Sequence, residues 1–139
     1  MKYNKFQKIC LIGPGIMPIP PEGWGGVEHL IWNVAQQFRM LGDEVVIINV
    51  SNLEDIIREA NSQDFDAVHL HYDQFASVMP HIKCKKKMIT SHYPYLENPE
   101  PQYEFLYDLL KDSGSHIVSL SDRIKEEFVR RGIDGTNVS

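Results

Sequence analysis

The chain has 139 residues, of which 42% are hydrophobic and 24% charged, a composition ordinary for one globular domain. Its net charge of −5 argues against a dedicated nucleic-acid-binding protein, which is usually basic. No apolar run reaches the roughly 20 residues that span a bilayer, and the opening MKYNKFQK lacks the apolar core of a secretory signal. We therefore expect a cytoplasmic location, either free or peripheral at a membrane.

The first part of the chain predicts a strand, a glycine-rich loop and a helix. Residues 8–13 are an apolar run typical of a strand buried on both faces. A proline- and glycine-rich loop, 13–26, precedes a helix whose apolar residues fall in one stripe, at positions 27, 30, 31, 34, 35, 38 and 41. Unpaired N–H groups at such a helix start favour an anion, most often phosphate. A tight turn at Gly25-Gly26 is an equal alternative, because neither standard nucleotide fingerprint is present.

The remaining elements follow in alternation. Residues 44–50 predict a second strand, and Ser51 to Glu54 have the form of a capping box for a helix from Leu53 to Ala60. Ser121 is the predicted cap of the last helix. Further strands are predicted at 67–71, 88–91 and 116–120, and further helices at 74–79 and 102–112. This alternation indicates an α/β domain with a parallel sheet of about five strands and helices on both faces.

Ligands of such sheets bind beyond the carboxyl ends of the strands. Three polar or aromatic segments lie there, namely the 13–26 loop, His71 to Asp73, and residues 92–95. His69 and His71 share one face of a strand, and with His92 and Asp73 they could form a zinc site. A buried hydrogen bond at His69 is the favoured interpretation.

The residues alone leave two interpretations open for several side chains. His92 is either a structural histidine at a strand end or a hydrogen-bonding group for a ligand. Trp24, Tyr72, Tyr93 and Tyr95 either line a sugar- or lipid-binding cleft or pack in the interior. We expect the carboxylates of Glu22 and Glu28 to be solvated. Cys10 and Cys84 have no motif spacing, which indicates buried free thiols in a reducing compartment.

Two longer segments carry a family resemblance. Residues 18–28, PIPPEGWGGVE, followed by LGDEV at 41–45, resemble the amino-terminal signature of glycosyltransferase family 4 (group 1). Asp43 stands where the family usually has histidine, at a turn that we expect to be exposed. DAVHLH at 66–71 and TSH at 90–92 resemble the later strands of that family.

The resemblance implies a GT-B fold, in which two Rossmann-like domains face each other across a cleft. Residues 1–139 would be the amino-terminal, acceptor-side domain, and the second, donor-binding domain is absent from the sequence. The resemblance places Gly25 and Gly26 beside the diphosphate or sugar of the donor and makes His92 the catalytic residue near the transferred sugar. It implies acceptor binding by aromatic and histidine side chains, which we assign to Trp24, His71, Tyr72 and Tyr93.

The implied activity is that of a retaining, nucleotide-sugar-dependent glycosyltransferase that transfers a hexose to a glycan, lipid or other acceptor. It needs no metal and no cofactor, and its co-substrate is a UDP- or GDP-linked sugar. The donor-binding domain, in cis or as a separate chain, would be required for activity. The alternative is a non-catalytic binding module, stand-alone or a subunit, that kept the fold. A dinucleotide-binding domain is disfavoured, because no acidic residue ends the second strand at Val50.

Overall fold

A computed structural model of the chain describes residues 6–92 and 104–139. The predicted helix at 102–112 is seen from Glu104 onward, and Tyr103 lies outside the described residues. Within the described ranges, no helix is long and apolar enough to cross a membrane. The elements in chain order are β1 (Lys8–Ile12), α1 (Gly26–Met40), β2 (Glu44–Ile48), α2 (Leu53–Ala60), β3 (Ala67–Leu70), a 3₁₀ helix (Asp73–His81), β4 (Lys87–Thr90), α3 (Glu104–Asp112), β5 (His116–Val118), α4 (Asp122–Arg130) and a 3₁₀ turn (Gly135–Asn137).

The strands form one parallel sheet of five, in the order β2-β1-β3-β4-β5. β1 lies between β2 and β3, so that Leu11 is opposite both Ile47 and His69. The chain therefore changes direction across the sheet between β1 and β3, which makes this the topological switch point. The arrangement confirms the predicted α/β, Rossmann-like parallel sheet.

Helices cover both faces of this sheet. Ile9 and Leu11 of β1 share a buried cluster with Ile31 of α1. Cys10 and Ile12 point to the opposite face, in the larger cluster that includes residues of α2, the 3₁₀ helix, α3 and α4. Cys10, Leu11 and Ile12 have no exposed surface, so β1 is buried on both faces as its composition predicts.

Two aspartates fix the entry of β1 into the sheet. The Gln7 N–H donates to Asp43 Oδ1 at 2.8 Å, and the Lys8 N–H donates to Asp66 Oδ2 at 2.8 Å. Asp43 is only 5% exposed, so the expectation of an exposed turn at this position was wrong. Its carboxylate is buried because it accepts from a backbone group just before β1.

The buried stripe of α1 is narrower than predicted and is displaced toward one side. Ile31 and Ala35 are fully buried, whereas Leu30 and Leu41 are 41% and 58% exposed. Glu28 is buried instead, with 6% of its surface exposed. The expectation that this carboxylate is solvated was wrong, because the first turn of α1 lies against the segments that follow β1 and β3.

The two predicted helix caps have different outcomes. Ser121 caps α4 as predicted, since its hydroxyl accepts from the Ile124 N–H at 3.3 Å. The prediction that Ser51 caps α2 was wrong. Asn52 is the cap, with its side-chain oxygen 3.0 Å from the Asp55 N–H and its backbone extended. The helix nevertheless begins at Leu53 as predicted.

The cap of α2 gives a direct test of this structure. Asn52→Ala removes the acceptor for the Asp55 N–H and should lower the free energy of unfolding by about 0.5 to 2 kcal/mol. Ser51→Ala is the matched control and should change it by less than about 0.5 kcal/mol. Urea unfolding monitored by circular dichroism measures both, and a larger loss for the serine variant would contradict the cap assignment.

Candidate functional site

The loop between β1 and α1 is held on the end of β2 by one side chain. The Gly15 N–H donates to Asn49 Oδ1 at 2.9 Å, and Asn49 Nδ2 donates to the Met17 carbonyl at 2.7 Å. Gly15 has a φ of +71°, and a Cβ atom there would lie 2.4 Å from the carbonyl carbon of Val50. Glycine is therefore required at this position by the neighbouring backbone, independently of any ligand.

The two glycines at the start of α1 have different surroundings. Gly25 is buried, and a Cβ atom there would lie 3.1 Å from the ring of Pro21. Gly26 is the first residue of α1, and a Cβ atom there would meet no atom within 4 Å. Gly25 carries no side chain to cap the helix. The space that a Gly26 side chain would occupy is therefore open, and the first N–H groups of such a helix have no partner within it, which favours an anion there.

Three histidines meet at the carboxyl ends of β3 and β4. His69 Nε2 is 2.7 Å from the hydroxyl oxygen of Thr90, which confirms the buried hydrogen bond expected for this residue. The rings of His69 and His71 are 4.0 Å apart. His71 Nδ1 and His92 Nε2 lie 3.2 Å apart, and one of them donates to the other. A network of side chains thus connects the sheet interior to His92.

This network contains neutral rings near pH 7. Burial, together with the neighbouring His69 and His92, lowers the pKa of His71 to about 2. Burial lowers the pKa of His69 to about 4. The pKa of His92 is also lowered by burial, although the charges of Asp73 and Glu28 act in the opposite direction. A neutral imidazole offers one donor and one acceptor, so His92 can hydrogen-bond a hydroxyl group in either sense.

These groups border a cavity of about 280 Å³, which we call the switch-point cavity. Among the described residues, Glu28 Oε2 and His71 Nε2 are buried and have no hydrogen-bond partner. Asp73 is 3% exposed, and its Oδ2 accepts from the Ser91 hydroxyl at 2.7 Å. The switch-point cavity is lined by Pro14, Ile16, Val27, Glu28, His71, Tyr72, Asp73, Gln74 and His92.

The structure brings some of the predicted site residues together and separates others. His71, Tyr72 and His92 all line the switch-point cavity. Gly25 and Gly26 lie at the start of α1, just before Glu28. Trp24 is 90% exposed and is not among the lining residues. Tyr93 and Tyr95 lie outside the described residues. The roles assigned to all of these residues stay predictions.

Glu28 and Asp73 are the two charged lining residues. The sequence predicted a solvated carboxylate for Glu28 and indicated a role for Asp73 only as a zinc ligand. A signal for the burial of Glu28 was present, because it occupies the same helical stripe as Ile31 and Ala35, at the spacing i, i+3, i+7. The signal for Asp73 was its place in the polar segment at the carboxyl end of a predicted strand.

Three ring nitrogens of this network are used in hydrogen bonds within the protein. His69 Nε2 pairs with Thr90, and His71 Nδ1 pairs with His92. Across residues 6–92 and 104–139, no group of three or more His, Cys, Asp or Glu side chains is arranged to hold a metal ion. Both cysteines are free; Cys10 is buried and Cys84 half-buried. Burial raises the pKa of the Cys10 thiol to about 12, which suits a packing residue rather than a nucleophile.

Comparison with known proteins supports the fold. No protein-family model and no curated protein sequence matches the chain. Among solved structures, the chain is similar to AviGT4, described as a glycosyltransferase involved in avilamycin A biosynthesis, with a TM-score of 0.54 and 20% sequence identity. The match covers 63% of this chain and 32% of that one. This chain therefore has a glycosyltransferase-like, Rossmann-like fold, and it spans about a third of that neighbour.

The buried histidines predict acid sensitivity. An unfolded histidine binds a proton below about pH 6.5, whereas His71 and His69 in the folded protein do so only near pH 2 and 4. Between these limits the unfolded state binds more protons than the folded state. The free energy of unfolding should therefore decrease, as the pH is lowered, by about 1.4 kcal/mol per pH unit for each such histidine. Urea unfolding at pH 7, 6 and 5 measures this slope.

Two histidine variants separate this effect from general acid denaturation. His71→Gln should flatten the slope between pH 6.5 and 5, because it removes a buried titrating group. His81 is exposed, and His81→Gln should leave the slope as in the parent protein. Equal slopes in the two variants would contradict the prediction.

The anchoring of the β1–α1 loop gives a second test at this site. Asn49→Ala removes the acceptor of the Gly15 N–H and the donor to Met17, so the Gly15 amide should exchange with solvent at least about tenfold faster. Asn33→Ala, an exposed position on α1, is the control. Amide hydrogen exchange measured by NMR reports the result, and unchanged protection of Gly15 would show that the loop is held in another way.

Proposed function

We propose that the chain is the amino-terminal, acceptor-side domain of a retaining glycosyltransferase of family 4, which transfers a hexose from a nucleotide sugar to a glycan, lipid or other acceptor. The observation that carries this proposal is that the first turn of α1, which begins at the open position Gly26, and His92 border one cavity at the switch point of a glycosyltransferase-like sheet. Of the residues that carry the family resemblance, Gly25 and Gly26 lie at the start of α1, and His71 and His92 line the switch-point cavity.

The start of α1 is suited to the leaving diphosphate. Its N–H groups and the positive end of the helix dipole favour the negative charge that develops on the phosphate oxygen when the glycosidic bond breaks. Gly26 leaves space for that group to approach the backbone. These donors are fixed by the fold before the reaction, so they need no reorganisation when the charge forms.

His92 is suited to contact the transferred sugar. Its ring is oriented by the hydrogen bond with His71, whose own ring lies 4.0 Å from that of His69 in a tilted arrangement. A neutral ring in this position can accept from, or donate to, a sugar hydroxyl without adding charge to the site. His71 and Tyr72 then border the acceptor, and the remaining donor contacts come from a second domain, in cis or as a separate chain.

The first experiment is an NMR titration of the 139-residue chain with UDP, GDP and their common sugar conjugates. We expect the amide signals of Gly25, Gly26 and the residues next to His92 to shift at millimolar nucleotide, because one domain supplies only part of the donor contacts. Gly26→Val should abolish these shifts. A Cβ atom there meets no atom of a neighbouring segment within 4 Å, so we expect the variant to fold and lost binding to reflect occlusion of the ligand; circular dichroism melting checks that it is folded.

Gly23→Val is the matched control, since a Cβ atom at this exposed loop position also meets nothing within 4 Å. It should leave the nucleotide-induced shifts unchanged. No shifts at millimolar nucleotide, or equal shifts in the Gly26 variant, would overturn the proposed diphosphate contact. The non-catalytic binding module would then be the better account of the chain.

A further inference from the structure

Two buried polar atoms border the switch-point cavity without a hydrogen-bond partner among the described residues. Glu28 is 6% exposed and His71 4% exposed. Glu28 Oε2 and His71 Nε2 have no hydrogen-bond partner within those residues. Buried polar groups in folded proteins are almost always hydrogen-bonded, and leaving one unpaired is costly. Two such unpaired atoms beside one cavity indicate that a bound group supplies their hydrogen-bond partners.

The charge of the cavity restricts what that group can be. Its described lining contains two acidic side chains, Glu28 and Asp73, and no lysine or arginine. The two histidines of the lining, His71 and His92, are kept uncharged by burial at neutral pH. A phosphate or carboxylate placed here would meet two carboxylates and no cation, and such like-charge contacts are unfavourable. Hydroxyl groups can instead donate to Glu28 and bond to His71 in either sense.

The size and the apolar part of the cavity restrict the ligand further. Its volume of about 280 Å³ lies just below the range of about 300 to 1,000 Å³ typical of drug-sized ligands, so it suits a single ring. Ile16 and Val27 supply apolar lining beside the polar groups. The ring of Tyr72 is oriented by an edge-on contact with Phe75, with ring centres 4.7 Å apart. An apolar lining next to buried acceptors matches a ring that has C–H faces and hydroxyl edges.

We propose that the switch-point cavity binds a neutral, polyhydroxylated ring through Glu28 and His71, and that Glu28 excludes phosphorylated rings from it. This inference rests on the proposed function, because the ring would be the acceptor of the transferred sugar. Glu28 becomes the residue that determines acceptor specificity, and it separates the site into two regions. The start of α1 at Gly26 takes the anionic diphosphate, and the switch-point cavity takes the uncharged acceptor.

The test compares two probes of the same ring on the 139-residue chain. Methyl α-glucoside is neutral and glucose 6-phosphate is anionic, and NMR follows the amides of residues 27–28 and 71–74. We expect the neutral probe to shift these signals at millimolar concentrations and the phosphorylated probe to bind at least about tenfold more weakly. Glu28→Gln keeps the shape of the side chain and an acceptor oxygen but removes the charge. It should reduce the ratio of the two dissociation constants to below about threefold.

Glu22→Gln is the matched control, because Glu22 is an exposed carboxylate on the neighbouring loop. It should leave the ratio unchanged. Circular dichroism melting checks that Glu28→Gln is folded, and we expect its midpoint to stay near that of the parent chain, because glutamine keeps the shape of the side chain and an acceptor oxygen. Glu28→Met provides a second uncharged variant if the glutamine variant is unstable, and it should lose the neutral probe as well.

Three outcomes would overturn the inference: equal or tighter binding of glucose 6-phosphate, an unchanged ratio in Glu28→Gln, or no shifts by either probe at 50 mM. Its failure can be distinguished from failure of the proposed function, because nucleotides report at Gly25 and Gly26 and the ring probes at 27–28 and 71–74. Nucleotide shifts without ring-probe shifts would leave the diphosphate contact standing and remove only the acceptor assignment.

Discussion

The burial of β1 between two neighbouring strands is the constraint on which the rest of the structure depends. Three consecutive residues, Cys10, Leu11 and Ile12, have no exposed surface, and alternate side chains enter the clusters on the two faces of the sheet. The carboxylates of Asp43 and Asp66 fix the start of the strand by accepting from consecutive backbone N–H groups. Because β1 is held in this way, the glycine loop that follows its carboxyl end lies at the switch point.

The site depends on burial in a different way. Desolvation lowers the pKa of three histidines, His69, His71 and His92. All three are therefore neutral hydrogen-bonding groups near pH 7. Glu28 and His71 each retain a buried atom with no partner in the described chain. Such groups reduce stability, and proteins commonly keep them where a ligand uses them.

The two regions at this edge have opposite electrostatic characters. The start of α1 presents N–H groups to open space in front of Gly26 and suits an anion. The adjoining switch-point cavity has acidic residues and neutral histidines in its described lining and suits an uncharged ligand. Under the proposed function, the first region would take the anionic donor and the second the neutral acceptor.

The sequence by itself determined the local elements of this protein. Continuous apolar runs identified the strands, the apolar stripe identified α1, and Ser121 identified the start of α4, because strand burial, helix periodicity and capping act over a few neighbouring residues. The apolar runs and glycine loop also indicated where the carboxyl edge of the sheet lies. His71 ends one predicted strand and His92 directly follows another, which indicated the carboxyl edge for both, and the structure brings these two side chains into contact.

The tertiary structure decided what depends on contacts between distant segments. The sheet order, with β1 between β2 and β3, follows from packing that no single segment encodes. Glu28 has the sequence position of an ordinary first-turn glutamate, and it is buried because the segments after β1 and β3 close over it. Asp43 is likewise buried by its bond to the backbone of a residue far away in the chain. Burial of a charged side chain is a property of its surroundings, so the folded arrangement decided that these carboxylates are buried, although Glu28 already shared the helical stripe of Ile31 and Ala35.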